Sequence, residues 1–108
     1  MKNMTITEPK ISKKTASFLN ILRKHSKEIE KMYKVSYLGI FGSYVREEQT
    51  EASDIDMLVE FSETPSLIRF IQLENYLSEF LGVKVDLVMK SALRPSIGKH
   101  ILEKAIKV

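Results

Sequence analysis

Three short apolar runs, separated by helix-like patterns, most constrain the fold that this chain of 108 residues can adopt. The runs are VSYLGIF at 35–41, DIDMLVEF at 54–61 and VKVDLVM at 83–89. Runs of this length are typical of strands inside a sheet. The surrounding spacing of apolar residues predicts helices, with a short one over YVREE at 44–48 and a polar loop over QTEAS at 49–53. The resulting order indicates an α/β (α+β) fold, in which helices flank a single small mixed sheet.

Caps and periodicity set the expected helix boundaries. A single amphipathic helix is predicted from about residue 10 to residue 33, and a last helix from residue 95 to about residue 104. Thr64 and Pro65 are the expected N-cap and first residue of a middle helix that ends at Gly82. The buried stripe of that middle helix is predicted to comprise Leu67, Phe70, Ile71, Leu77, Phe80 and Leu81.

The length fits one domain, with residues 1–9 as a flexible N-terminus and residues 10–108 as the folded unit. The chain has no cysteine, which excludes a disulfide framework and a thiolate site. No apolar run approaches the roughly 20 residues that span a bilayer, and the N-terminus lacks an apolar signal core. We therefore expect a cytoplasmic protein without a membrane partner.

The net charge of +3 conceals an uneven distribution along the chain. Residues 1–34 hold nine basic and three acidic side chains, whereas residues 47–63 hold seven acidic and no basic ones. An acidic centre between basic flanks disfavours direct nucleic acid binding, which needs a continuous basic stripe. It fits a cation site, although a solvated surface of uneven charge would give the same composition.

Two aspartates stand at the head of the most apolar strand. Alternate residues of a strand point the same way, so Asp54 and Asp56 share one face, with Cβ atoms roughly 6–7 Å apart. Carboxylates this close repel unless a cation bridges them, and Mg²⁺ is the hard cation that prefers such oxygen ligands. Asp86, in the next apolar strand, is predicted to bring a third carboxylate to the same face. Three carboxylates can hold a pair of Mg²⁺ ions, as in phosphoryl transfer.

Gly42 and Ser43, which directly follow the first predicted strand, are candidates for a phosphate-binding turn beside the metal site. Glycine lets a phosphate approach the backbone, and the serine hydroxyl can donate to its oxygens. Taken singly, a Gly-Ser pair is usually a turn, an Asp-x-Asp pair often caps a strand, and Asp86 would pair with Lys84 or Lys90. All three features in this order favour a nucleotide and metal site. His25, His100 and the tyrosines are expected to be packing or surface residues.

With these residues in place, the chain resembles the DNA polymerase β-type nucleotidyltransferases, and among them the minimal nucleotidyltransferases (MNT) of prokaryotes. The resemblance lies in Phe41-Gly42-Ser43, a ten-residue spacer, the Asp54/Asp56 pair and the later Asp86. It covers nearly the whole chain. It departs at Glu47, where the family usually has glycine after an arginine that corresponds to Arg46.

The resemblance implies roles for these residues. Gly42 and Ser43 would bind the nucleotide phosphates, and Arg46 would neutralise phosphate charge, with a surface salt bridge as the alternative. Asp54 and Asp56 would ligate Mg²⁺. Asp86 would be a third ligand or the base that activates the acceptor hydroxyl.

The resemblance also implies a partner. Many MNT proteins are antitoxins of HEPN-domain toxins, so we expect AMP transfer from ATP to a tyrosine of a cognate HEPN toxin, in a complex with it. Two alternatives remain: an antitoxin that neutralises its toxin by contact alone, and nucleotidyl transfer to a small molecule.

Overall fold

The structure, a computed structural model, describes residues 13–42 and 54–108. Within these ranges, the chain forms four helices and four strands. The helices are α1 (Lys13–Lys24), α2 (Ser26–Tyr33), α3 (Leu67–Leu81) and α4 (Pro95–Lys104), with a 3-10 turn at Lys90–Ala92. The strands are β1 (Val35–Phe41), β2 (Ile55–Phe61), β3 (Val85–Met89) and β4 (Ile106–Lys107). The segments predicted as a flexible N-terminus, a short helix at 44–48 and a loop at 49–53 lie outside the described residues.

The four strands form one mixed sheet in the order β3-β2-β1-β4. β1 runs antiparallel to β2 and to β4, whereas β2 and β3 are parallel. The parallel pair is joined by α3, which supplies the crossover that parallel neighbours require. The predicted α+β fold with a single mixed sheet is therefore confirmed, and the apolar run at 35–41 is an interior strand as predicted.

One face of the sheet carries the core. Ile55, Met57 and Val59 of β2 are fully buried and alternate with the residues of the opposite face. Val85 and Leu87 of β3 extend the same apolar layer beneath the helices. Burial of each of these side chains contributes about 1.5–3 kcal/mol to the stability of the fold. The packing therefore holds β2 rigidly and fixes the positions of the residues on its opposite face.

The first helix differs from the prediction, because the pattern over 10–33 divides into α1 and α2 at His25. The backbone of His25 leaves helical geometry at φ −110° and ψ 10°. Its ring lies edge-on to Phe80, with centroids 4.5 Å apart, and Nδ1 is 3.0 Å from the carbonyl oxygen of Ile21. This tertiary contact with α3 fixes the break, whereas the apolar periodicity is nearly continuous across it.

The start of α3 also differs, because Ser66 is the N-cap in place of Thr64. The Ser66 hydroxyl accepts a hydrogen bond from the Arg69 N–H at 3.1 Å, so the helix begins two residues later than predicted. Gly82 ends it as predicted, at φ 75°. The buried stripe comprises Leu73, Leu77 and Leu81. Leu67 and Ile71, predicted to be buried, are 74% and 43% exposed.

Both edges of the sheet are partly protected. At β3, the Ser78 hydroxyl accepts from Val85 N–H and the Glu74 carboxylate accepts from Leu87 N–H, each at 2.9 Å. α3 therefore satisfies the outer edge of β3 with side chains. At the other edge, the sequence did not predict β4, which pairs with Gly39 and Ile40 of β1. α4 itself begins at Pro95 as predicted.

Candidate active site

The predicted carboxylates lie at the rim of the sheet where β1 ends and where β2 and β3 begin. β2 is antiparallel to β1 and parallel to β3, so the end of the first meets the starts of the other two. The register pairs Phe41 with Asp56 and Asp56 with Asp86. Two of the three predicted carboxylates are therefore direct neighbours across adjacent strands, which lie about 4.8 Å apart.

Asp56 and Asp86 share the face of the sheet opposite the core. We call it the site face; on β2 it carries Asp56, Leu58 and Glu60. Asp54 lies one residue before β2 and has the same parity as Asp56, so it belongs to this face too. Asp54 and Asp56 are half-buried, and Asp86 is exposed. The arrangement gathers negative charge in a position that a solute can reach.

Gly42 is held against this carboxylate pair. Its φ of +79° is in the left-handed region that favours glycine, and a Cβ there would collide with the Oδ2 atom of Asp56. The residue type is thus required twice, for the turn of the backbone and for the closeness of the carboxylate. The carboxylate of Asp56 occupies the space that a side chain at this position would need, so the backbone at the end of β1 is in direct contact with it.

The other two predicted nucleotide-binding residues cannot be placed against this geometry. Ser43 and Arg46 lie outside the described residues, and so does Glu47, the departure from the family pattern. Their roles stay predictions.

Lys84 is a site residue that the sequence reasoning did not assign. It was considered a counter-ion of Asp86, but its Nζ lies 3.9 Å from Oδ2 of Asp54. Lys90, the other candidate, instead lies 3.6 Å from Oε1 of Glu60. The signal was present in the spacing: Lys84 precedes Asp86 by two residues, as Asp54 precedes Asp56, so parallel pairing brings Lys84 beside Asp54.

The donor set fits a hard divalent cation. Carboxylate oxygens of Asp56 and Asp86 on adjacent strands are the ligand type that Mg²⁺ prefers. Within residues 13–42 and 54–108, however, no group of three or more His, Cys, Asp or Glu side chains is close enough to hold a metal ion together. Oδ2 of Asp54 lies 3.9 Å from Nζ of Lys84, so a metal that binds this oxygen competes with the lysine.

Among the described residues, the histidines and tyrosines are packing or surface residues, and Tyr44 lies outside the described part. His25 packs against Phe80 as described, and His100 is exposed on α4. The Tyr37 side chain lies over Gly39, where its hydroxyl oxygen would be 2.9 Å from an added Cβ, and burial raises the pKa of this hydroxyl. Tyr37 therefore fills the gap left by glycine in the sheet. None of the helices in the described part is long and apolar enough to cross a bilayer.

The family follows from a comparison with known protein families. The model of the nucleotidyltransferase domain family matches residues 22–108, which include the β1 turn, the Asp54/Asp56 pair and Asp86. The chain therefore belongs to the nucleotidyltransferase domain family and is a nucleotidyltransferase, as the sequence predicted.

Individual relatives agree with this assignment. The chain is 51% identical over 89 residues to the protein adenylyltransferase MntA of Thermococcus cleftensis, a match that spans 82% of this chain and 90% of that protein. It is 58% identical over 90 residues to MJ0128 of Methanocaldococcus jannaschii, spanning 82% of this chain and 92% of the relative. Both matches cover most of each protein, so the likeness is not confined to the motif.

Solved structures show the same fold. A structure described as a minimal nucleotidyltransferase superposes with a TM-score of 0.68 at 31% identity, over 87% of this chain and 91% of its own. A chain from a complex of a tri-AMPylated Shewanella oneidensis HEPN toxin with an MNT antitoxin gives a TM-score of 0.59 at 21% identity. That match covers 87% of this chain and 70% of the other. At 21% identity it shows a shared fold only.

Proposed function

We propose that this chain is the antitoxin of a HEPN–MNT pair and that it transfers AMP from ATP to a tyrosine of its partner toxin, in a Mg²⁺-dependent reaction in the cytoplasm. The observation that carries the proposal is the neighbouring Asp56 and Asp86, with Gly42 held directly against Asp56. A glycine turn in contact with a pair of neighbouring carboxylates supports phosphate and metal binding, the two functions that nucleotidyl transfer requires.

Each residue has a role in that reaction. Gly42, with Ser43, holds the triphosphate at the end of β1, and Arg46 offsets its charge. Asp54 and Asp56 would hold Mg²⁺ through their carboxylate oxygens, and Asp86 would be a third ligand or the base. When bound, the metal would neutralise charge on the phosphates and orient the α-phosphoryl group.

The tyrosine oxygen forms a bond to the α-phosphorus, and the bond from that phosphorus to the bridging oxygen breaks, releasing pyrophosphate. The hydroxyl proton leaves to a carboxylate. Asp86 is the candidate base because it is exposed at the rim, where an incoming side chain can reach it.

A protein acceptor is supported by the relatives. MntA of Thermococcus cleftensis, half identical to this chain, is named a protein adenylyltransferase. The Shewanella oneidensis complex contains a tri-AMPylated HEPN toxin together with an MNT antitoxin. The exposed rim fits a bulky acceptor, since a folded partner can present a tyrosine there.

The test is label transfer from ATP labelled at the α-phosphate to the HEPN-type protein encoded beside this chain, with Mg²⁺ present. We expect label on a tyrosine of that protein, and loss of label with the Asp54→Asn/Asp56→Asn double variant. Glu60→Gln is the matched control, because Glu60 lies on the same strand and face but at the opposite end.

A different result would contradict the proposal. If the wild type transfers no label while both it and the double variant fully neutralise the toxin, the chain acts by contact alone. Label on a small-molecule acceptor and none on the protein would assign the chain to the other alternative.

A further inference from the structure

The position of Lys84 is fixed by the main chain. The Lys84 carbonyl accepts a hydrogen bond from the N–H of Ile55, the first residue of β2, at 2.9 Å. Since β2 and β3 are parallel and in register from Ile55 and Val85 onward, Lys84 stands beside Asp54. The backbone therefore holds this lysine at the site.

Lys84 lies among acidic side chains. Along the rim of β2 and β3, the described part of the site face carries Asp54, Asp56 and Asp86 together with Lys84. Its Nζ contacts Oδ2 of Asp54 at 3.9 Å, with the two side chains 78% and 41% exposed. This contact occupies a carboxylate oxygen that the proposed function assigns to Mg²⁺.

We propose that Lys84 is the resident counter-cation of this site: it holds Asp54 until the metal arrives, then releases it and binds an oxygen of the nucleotide's polyphosphate. The inference rests on the proposed function. A divalent cation and an ammonium compete for one carboxylate, because like charges at that distance repel. Lysine is suited to the exchange, since its ammonium has three donors on a flexible four-carbon stem.

The exchange has two opposite consequences for binding. Without nucleotide, Lys84 lowers the affinity of the site for a divalent ion, because the ion must displace or tolerate a positive charge. With nucleotide, Lys84 raises the affinity for the polyphosphate, because it adds a charge-assisted contact. A surface lysine without this role would change neither the affinity for the divalent ion nor the affinity for the polyphosphate.

The experiment measures Mn²⁺ binding to the full chain by electron paramagnetic resonance, first without nucleotide and then with a non-hydrolysable ATP analogue. We expect Lys84→Gln to bind Mn²⁺ about three- to tenfold more tightly than the wild type without nucleotide. The same variant is expected to bind the analogue about three- to tenfold more weakly in the presence of Mn²⁺. Lys84→Arg, which keeps the charge, is expected to stay near the wild type in the first measurement.

Lys90→Gln is the matched control, because Lys90 pairs with Glu60 at the other end of the same face. It should leave both affinities unchanged. Equal Mn²⁺ affinities for Lys84→Gln and Lys90→Gln would overturn the counter-cation role and leave the metal site intact. Unchanged analogue binding in Lys84→Gln would overturn its transfer to the polyphosphate. A wild type that binds no Mn²⁺ would overturn the inference together with the metal site of the proposed function.

Discussion

The two ends of the site face, along β2 and β3, are built from the same residue types and differ in charge balance. At one end, Glu60 and Lys90 form a one-to-one pair 3.6 Å apart, and the lysine also lies 5.7 Å from the centroid of the Tyr37 ring. At the other end, the described residues place Asp54, Asp56 and Asp86 near one lysine, Lys84, which contacts Asp54 at 3.9 Å. A one-to-one exposed pair is a common surface feature, whereas carboxylates on neighbouring strands repel each other and are stabilised by a bound cation. The difference distinguishes a surface ion pair from a site.

The largest expected effect is that of Asp86→Asn. Loss of a general base costs about 100- to 10,000-fold in rate, and loss of a metal ligand is expected to cost at least about 100-fold. Initial rates of AMP transfer give the loss, and Mn²⁺ affinity separates the two roles, because only a ligand change weakens metal binding. A rate within about threefold of the wild type would remove Asp86 from the site.

Gly42→Ala is expected to have the next largest effect, and Gly82→Ala is its control. Both glycines have positive φ, at 79° and 75°, so each substitution costs about 1–2 kcal/mol in unfolding free energy from backbone strain. A Cβ at Gly82 meets no atom within 4 Å, whereas one at Gly42 collides with Asp56. Denaturant unfolding should therefore show a larger loss for Gly42→Ala, and only this variant should lose Mn²⁺ affinity and transfer rate.

Equal behaviour of the two glycine variants would contradict this account of the β1 turn. It would mean that the contact between Gly42 and Asp56 has no consequence for the site, and that the turn serves chain reversal alone.

The smallest effect is expected for Glu60→Gln. An exposed ion pair contributes about 0–1 kcal/mol, so the variant should unfold within that range of the wild type and transfer AMP at the wild-type rate. Urea unfolding and the transfer assay measure both quantities. A tenfold fall in rate would show that the balanced end takes part in the reaction and that charge imbalance does not mark the site.

Much of the sheet was predictable because it depends on local pattern. The apolar run at 35–41 coincides with β1, and the alternation of Ile55, Met57 and Val59 with the aspartates predicted which face of β2 enters the core. Gly82 was predictable as a helix end, since a left-handed residue there favours glycine. The proximity of Asp56 and Asp86 could be predicted because both strands were expected to lie in the same sheet.

The errors have tertiary causes. The break at His25 depends on a contact with Phe80, 55 positions further along the chain. The local spacing of apolar residues cannot predict such a distant contact. β4 has only two residues and exists by pairing with β1. The start of α3 was a choice between two hydroxyl residues, Thr64 and Ser66, both of which can cap a helix. The alternative in which Asp86 pairs with Lys84 or Lys90 was wrong, because the partners of both lysines depend on how the strands are paired.

The most direct measurement is a crystal structure of the chain with Mn²⁺ and a non-hydrolysable ATP analogue, with the metal located by anomalous scattering. We predict anomalous density at the rim, within bonding distance of Asp54 and Asp56 and beside Asp86, with the triphosphate along the turn that begins at Gly42 and Lys84 released from Asp54. Density near Glu60, or a nucleotide bound with no metal at the three carboxylates, would contradict the assignment of this rim as the active site.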